Sequence, residues 1–241
     1  MRKISTGVLV VAAVASFPLT AAAQMKWTDK AVASINGGVQ AGSHTLDTNQ
    51  TFTLYDEDGS LKASQKVGGG GFFDIGGGYK VWRNLLVGLD YSHSSSKSDA
   101  SFTASVPDPL VSDRPRLLSG TFAGSAYKEN ALHFTGTWMM PVTDKVDVGL
   151  VVGPSVFIIK QDIPSQISAA EPPTASNVSS TSVKKTAAGF NLGIDATYLF
   201  TKKIGGGLLA RYTWGSADVV KGSKSLTTGG FQIGVGVRYR F

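Results

Sequence analysis

The final twelve residues of the chain, Gly230 to Phe241, read GFQIGVGVRYRF. Phe231, Ile233, Val235, Val237, Tyr239 and Phe241 share one face of an extended strand, and Gly230, Gln232, Gly234, Gly236, Arg238 and Arg240 share the other. The apolar face is unbroken and turns aromatic at its end, while the polar face carries two arginines. The same period-two alternation recurs in seven earlier segments. These run from Ala31 to Gly42, about Val67 to Val81, Leu85 to about Ser95, about Lys128 to Met140, Val146 to Lys160, about Lys184 to Phe200, and Ile204 to Ser216. Their apolar sets include Ile35 and Val39, Phe73 and Ile75, Val87 and Leu89, Phe134 and Trp138, Leu150 and Val152, Leu192 and Tyr198, and Leu208 and Tyr212.

The connections alternate short and long. Short ones fall at 82–84, 141–145 and 201–203, and long ones at about 43–66, 96–127, 161–183 and 217–225. Eight strands of about ten residues, joined in that rhythm, predict an all-β, eight-stranded antiparallel up-and-down transmembrane β-barrel. The apolar faces would meet lipid and the polar faces the lumen, with the turns periplasmic and the loops extracellular. A soluble all-β sandwich is the competing architecture. Pro107, Pro109 and Pro115 in the second loop, and Pro164, Pro172 and Pro173 in the third, mark those segments as poor strand formers.

The amino terminus agrees with export. Arg2 and Lys3, an uncharged run from Gly7 to Phe17, and Ala21-Ala22-Ala23 read as a cleaved signal peptide over residues 1–23, leaving a single barrel domain over residues 24–241. The formal charge of +6 loses the two units of Arg2 and Lys3 and is spread along the rest of the chain, which excludes the dense basic tract of a nucleic-acid binder. There is no cysteine, so the fold takes nothing from an oxidising compartment.

Aromatic residues gather near the strand ends. Tyr79, Trp82, Trp138, Tyr198, Phe200, Tyr239 and Phe241 are expected at the periplasmic interface, and Tyr91, Tyr127, Phe190, Trp214 and Phe231 at the outer one. The inward set is polar: Asn36, Gln40, Asp74, Lys80, Asp90, His133, Thr135, Asp147, Asn191, Asp195, Arg211, Gln232, Arg238 and Arg240. Counted from the turns, Asp74, Asp90, His133, Asp195 and Arg211 form a mid-lumen polar cluster, with Lys80, Asp147, Arg238 and Arg240 near the periplasmic mouth. An eight-stranded interior is just wide enough for side chains to fill. A polar plug and a narrow path for ions or small solutes both remain open. Opposite charge nearby would favour a protonated, titratable His133 beside Asp90.

Other chemistry is thin. The three histidines, His44, His93 and His133, show no metal-ligand spacing, and no cofactor is expected. The glycine runs at 68–71 and 76–78 lie in strand pattern and read as curvature positions. Asp56, Asp58 and Gly59 read as a turn tip rather than a calcium loop, because the later acidic ligand is missing.

Taken together, the signal, the eight alternating strands, the three short turns, the four long loops and the terminal VGVRYRF resemble the small outer-membrane β-barrel family typified by the transmembrane domain of OmpA. The resemblance implies the outer membrane of a Gram-negative bacterium, contact with outer-membrane lipid and lipopolysaccharide, and a monomeric barrel. It also implies that Val237, Tyr239 and Phe241 resemble the signal read by the outer-membrane assembly machinery. The periplasmic peptidoglycan-binding domain that often follows such barrels is not expected, since the sequence stops at the barrel. Structural support, an extracellular ligand bound through the loops, or a small pore are the functions the family implies. Some eight-stranded relatives are lipid A-modifying enzymes that use a lipid-facing His and Ser two residues apart. His93 and Ser95 match that spacing, but Asp99 and Glu129 do not supply an acid at a matching place, so an enzyme is not expected.

Overall fold

The computed structural model describes residues 26–42, 44–111, 113–167, 178–217 and 226–241. The expected signal peptide lies outside these residues, as do parts of the third and fourth long connections. Among the described residues ten antiparallel strands form one sheet: β1 (Ala31–Ala41), β2 (His44–Leu54), β3 (Glu57–Val67), β4 (Gly70–Trp82), β5 (Leu85–Val106), β6 (Arg116–Pro141), β7 (Val146–Ile167), β8 (Val178–Leu199), β9 (Ile204–Ala217) and β10 (Leu226–Arg240). Eight of them close a ring in the order β1–β4–β5–β6–β7–β8–β9–β10. The seam between first and last strands runs from Val32↔Arg240 to Ala41↔Phe231. Closure is what lipid demands, since an unpaired N–H or C=O in hydrocarbon costs several kcal/mol, and a ring has no edge.

The barrel is inside out relative to a soluble protein. On β10, Val235 is 67% exposed and Arg238 only 2%. Every outward residue predicted above for β1, β4, β5 and β10 lies on the outer face, and the charged set lies inside. The three short turns fall where expected. In two of them a threonine hydroxyl closes the turn: Thr143 Oγ1 accepts from Lys145 N and Val146 N, and Thr201 Oγ1 accepts from Lys203 N and Ile204 N.

The long connections differ from expectation. The first is a β-hairpin, β2–β3, turned by Tyr55 (φ 53°) and Asp56 (φ 62°), the left-handed pair of a type I′ turn. Asp56 and Asp58 are therefore hairpin-tip residues. The second is a continuation of β5 and β6, paired out to Val106↔Arg116. The third continues β7 and β8 to Ile167↔Val178. These strands run well past the nine to eleven residues that cross a membrane. Pro107, Pro109, Pro115 and Pro164 did not prevent this because they sit at or beside breaks in pairing, and Pro172 and Pro173 lie outside the described residues. Pro107, Pro109 and Pro115 lie in the β5–β6 tip, and Pro164 adjoins a register shift in β7.

The β2–β3 hairpin does not stand free. β3 pairs with the outer half of β5, from Ser60↔Ser105 to Gln65↔Ala100. β2 reaches β10 on one side and β7 on the other, which are three strands apart around the ring, so the hairpin lies across the outer mouth. Beyond it, Leu61, Ala63, Phe102, Ala104 and Val106 form a small apolar core with Phe52, Leu54, Leu118 and Phe122.

Replacing Val235 with Arg on the lipid face should cost about 2–4 kcal/mol in a refolding titration into bilayers. Replacing Leu117, 82% exposed on the extracellular extension, should cost under about 0.5 kcal/mol. Equal costs would contradict this placement of the membrane.

Candidate functional site

The lumen is filled by one continuous hydrogen-bonded chain of side chains. Near the periplasmic end the Arg238 guanidinium grips the Asp195 carboxylate, donating from Nε at 3.1 Å and from the terminal nitrogen at 2.6 Å. Its other terminal nitrogen donates to Asn36 Oδ1 at 2.7 Å, and Asn36 Nδ2 donates to Asp74 Oδ1 at 2.8 Å. Asp74 accepts from Arg211 at 2.7 Å, and Arg211 Nε donates to Gln232 at 2.9 Å. Gln232 donates to Gln40 at 2.8 Å, and Gln40 reaches Glu129 at 3.5 Å. Each strand contributes at alternate positions, so the chain follows from the parity of the sequence. A buried guanidinium is costly unless it is paired and hydrogen-bonded, and Arg211 and Arg238 are both.

The predicted cluster is thus brought together in part. Asp74, Asp90, Asp195 and Arg211 line one cavity of about 60 Å³, and Arg238, expected nearer the mouth, joins them by reaching up to Asp195. Asp90 forms no ion pair among the described residues. His133 is opposite Asp90 in register, as expected, yet its ring bonds elsewhere. Nε2 lies 3.0 Å from Ser92 Oγ and Nδ1 2.7 Å from Ser155 Oγ, and the ring stands edge-on to Phe157. Two hydroxyls that can each give or take a hydrogen bond hold this imidazole, so no carboxylate contact accounts for its place.

Room for these charges comes from glycine. A methyl group added at Gly76 would overlap the Asp90 carboxylate, and one at Gly207 would meet the Arg238 guanidinium. Gly76 was read as a curvature site; within the lumen both glycines make space for the opposing side chain.

Both ends are stoppered by residues that the strand pattern did not single out. At the periplasmic end Trp27 is 2% exposed and packs with Leu86, Met139 and Val32. Asn84 Oδ1 accepts from Trp27 N, Lys80 Nζ donates to the Trp27 carbonyl at 3.0 Å, and the Arg240 guanidinium lies 4.3 Å from the indole. Arg240 is itself paired with Asp147. At the outer end Leu46 and Val67 of the hairpin pack with Tyr127, Phe157, Ile159 and Ile163. Gln65 stitches the hairpin down, donating to Ser98 Oγ at 2.9 Å and accepting from Gln161 at 2.8 Å and Ser125 at 3.1 Å.

Tyr127 corrects the expected outer belt. It faces inward, 4% exposed, and its hydroxyl donates to Glu129 Oε2 at 2.6 Å. Glu129 also accepts from Thr228 Oγ1 at 2.5 Å and Gly229 N at 2.9 Å, so neutral donors satisfy this buried carboxylate. Its odd parity with His133 on β6 is the signal that places it inside. On the outer face, His93 Nδ1 bonds Asn130 Oδ1 at 2.8 Å, and Asp99 accepts from Gly124 N. Neither acid approaches His93. Among the described residues no group of His, Asp and Glu is arranged to hold a metal ion.

Breaking the buried pair with Asp74→Asn should destabilise the barrel by about 3–5 kcal/mol in denaturant titration, because Arg211 is left without its counter-ion. Gly76→Ala should cost about 1–3 kcal/mol by overpacking, and Asp90→Ser in the same chain should recover most of that loss. Additive losses in the double variant would show that Gly76 and Asp90 do not share that space.

A family model described as the outer membrane protein beta-barrel domain matches residues 9–241. No curated protein matches the chain in sequence. Among solved structures, Neisserial surface protein A is 13% identical, covering 88% of this chain and 96% of its own, with a TM-score of 0.45. Ail, the attachment invasion locus protein of Yersinia pestis, solved with the heparin analogue sucrose octasulfate, is 11% identical over 87% of this chain and 99% of its own, with a TM-score of 0.39. The outer membrane protease OmpT from Escherichia coli is 11% identical over 90% of this chain and 98% of its own, with a TM-score of 0.41. The match across nearly the whole sequence, together with a closed ring of eight strands that is apolar outside and charged inside, means that the chain belongs to the outer membrane protein β-barrel domain family and resides in the outer membrane of a Gram-negative bacterium.

Proposed function

We propose that this protein is a non-catalytic, monomeric barrel whose function is carried outside the membrane, on the sheet formed by β2, β3 and the outer halves of β5 and β6. One observation carries the reading. The β2–β3 hairpin lies across the mouth and is tied to β5, β6 and β7 through Gln65. A path for solutes would have to part that hairpin, displace Trp27 and break the axial chain of ion pairs. The 60 Å³ cavity holds a few waters at most by volume. It lies among the paired charges rather than bypassing them.

Support for a surface role comes from the extension itself. It is an ordered sheet with its own apolar core, rather than loose loops, and its tips present Tyr55, Leu110 and Leu117 to solvent. Leu110 is 90% exposed. The two tips are joined, since Asp113 N donates to Glu57 Oε1. Large apolar side chains exposed on that apex suit contact with another surface. The outward row Val237, Tyr239 and Phe241 on the closing strand is the segment we assign to the assembly machinery.

The test is adhesion of cells displaying the protein to protein- and glycan-coated surfaces, against a Tyr55→Ser, Leu110→Ser, Leu117→Ser variant at equal surface level. The variant should keep barrel stability within about 0.5 kcal/mol and lose adhesion to the level of cells without the protein. Equal adhesion by parent and variant would contradict the proposal.

A further inference from the structure

Asn49 stands on β2 in the run Asp47-Thr48-Asn49-Gln50-Thr51. A hydroxyl residue two positions after an asparagine, with no proline between, is the acceptor pattern for N-linked glycosylation. The other described asparagines lack it. Asn36 is followed at that distance by Gly38, Asn84 by Leu86, Asn130 by Leu132 and Asn191 by Gly193. Each of those four is also engaged in the barrel. Asn36 and Asn191 are buried in lumen hydrogen bonds, Asn84 accepts from Trp27 N, and Asn130 holds Tyr91 and His93. Among the described residues the Asn49 amide has no hydrogen-bond partner.

The strand puts the three determinants on one face. Side chains alternate along β2, so Asp47, Asn49 and Thr51 point outward together and all are exposed, while Leu46 and Thr48 are buried on the other side. β2 ends its side of the sheet, with β3 as its ladder partner. Opposite Asn49 stands Lys62, also exposed. Opposite Asp47 stands Ser64, whose hydroxyl donates to the Asp47 carboxylate at 2.8 Å. A bulky group on the Asn49 amide therefore meets solvent and displaces nothing buried. The pairing of β2 with β3, from His44↔Val67 to Leu54↔Glu57, engages the backbone that a transferase would have to grip. The reaction thus belongs to the chain in the periplasm, before that ladder forms, and the fold then carries the product on an open face.

We propose that Asn49 is the acceptor of an N-linked oligosaccharide, delivered from a polyprenyl-pyrophosphate carrier by a periplasmic transferase. Asn49 Nδ2 forms a bond to the anomeric carbon of the first sugar. The bond from that carbon to the pyrophosphate oxygen breaks, its electron pair leaves with the pyrophosphate, and one amide proton passes to a base of the transferase. Nothing is oxidised or reduced. The amide lone pair is delocalised into its carbonyl, which makes the nitrogen a poor nucleophile by itself. The Thr51 hydroxyl is the group placed to hydrogen-bond that amide and orient it, and Asp47 offers the transferase an anionic handle on the same face. Asn49 lies six residues before the tip residue Tyr55. The inference is independent of the surface-contact role proposed for the tips.

The test is the intact mass of the protein extracted from outer membranes of a Gram-negative host that carries a bacterial oligosaccharyltransferase and its polyprenyl-linked oligosaccharide, against the same host without the transferase. The parent should gain the mass of one oligosaccharide, and peptide mapping should place it on Asn49. Asn49→Gln and Thr51→Val should each lose the gain, Thr51→Ser should keep it, and Asp47→Ala should lower the modified fraction. The sequence has a second such pattern at Asn177-Val178-Ser179, with Ala175 where Asn49 has Asp47. Asn177→Gln should leave the gain unchanged. The shift in electrophoretic mobility on heating, which reports a folded barrel, should be the same in every variant, so a lost gain reads as a lost acceptor and not as a lost fold. An unmodified parent, a gain that survives Asn49→Gln, or modification at Asn177 with Asn49 untouched would overturn the proposal.

Discussion

A lumen the width of eight strands, wrapped in lipid, leaves a charged side chain few partners beyond other polar side chains and the odd backbone group. The rest of the interior depends on that constraint. Arg211 and Arg238 are too large and too polar to be left alone at 1–2% exposure, so they are held between Asp74 and Asp195 with Asn36, Gln232 and Gln40 completing the chain. Because these residues come from β1, β4, β8, β9 and β10, the network also ties together strands that are not neighbours in the ring. It fixes register from within, while the backbone ladder and the apolar wall fix it from outside. Glycine at 76 and 207 is the geometric concession that lets opposed charges fit.

Much of this was legible in the alternation alone. Any sequence that places Phe231 to Phe241 on one face must place Arg238 and Arg240 on the other, and a strand slipped by one residue would turn those arginines to lipid. Asp74 and Arg211 were for that reason foreseeable as lumen partners. What was not legible has physical causes. Trp27 precedes the first strand, so no periodicity marks it, and its role comes from filling a hole that only the closed barrel creates. Glu129 obeyed the parity of its strand, but it was weighed only as an acid for His93 and not counted among the lumen residues. The β2–β3 hairpin looked like loop because its face mixes threonine, serine, lysine and glutamine. That composition suits a strand lying over a polar mouth rather than one in lipid.

The outer extension follows from the same economy. Inside the membrane the inward face of β5 and β6 is polar, with Ser92, Ser94 and Glu129. Above it that face turns apolar at Ala100, Phe102, Ala104 and Val106, because the hairpin now packs against it where lumen contents did before. The lid and the external sheet are one structure: covering the mouth gives β3 a partner in β5 and gives the extended strands a core. A surface held this way is preorganised, which lowers the ordering cost of meeting a partner.

Single-channel conductance of the refolded mature protein in a planar bilayer tests the central claim most directly, which is that side chains close the lumen at both ends and fill it between. The account predicts no stable unitary current in the parent protein. Reproducible steps whose size changes in an Arg211→Ala variant would contradict it, by showing that ions travel through the space assigned here to the paired charges.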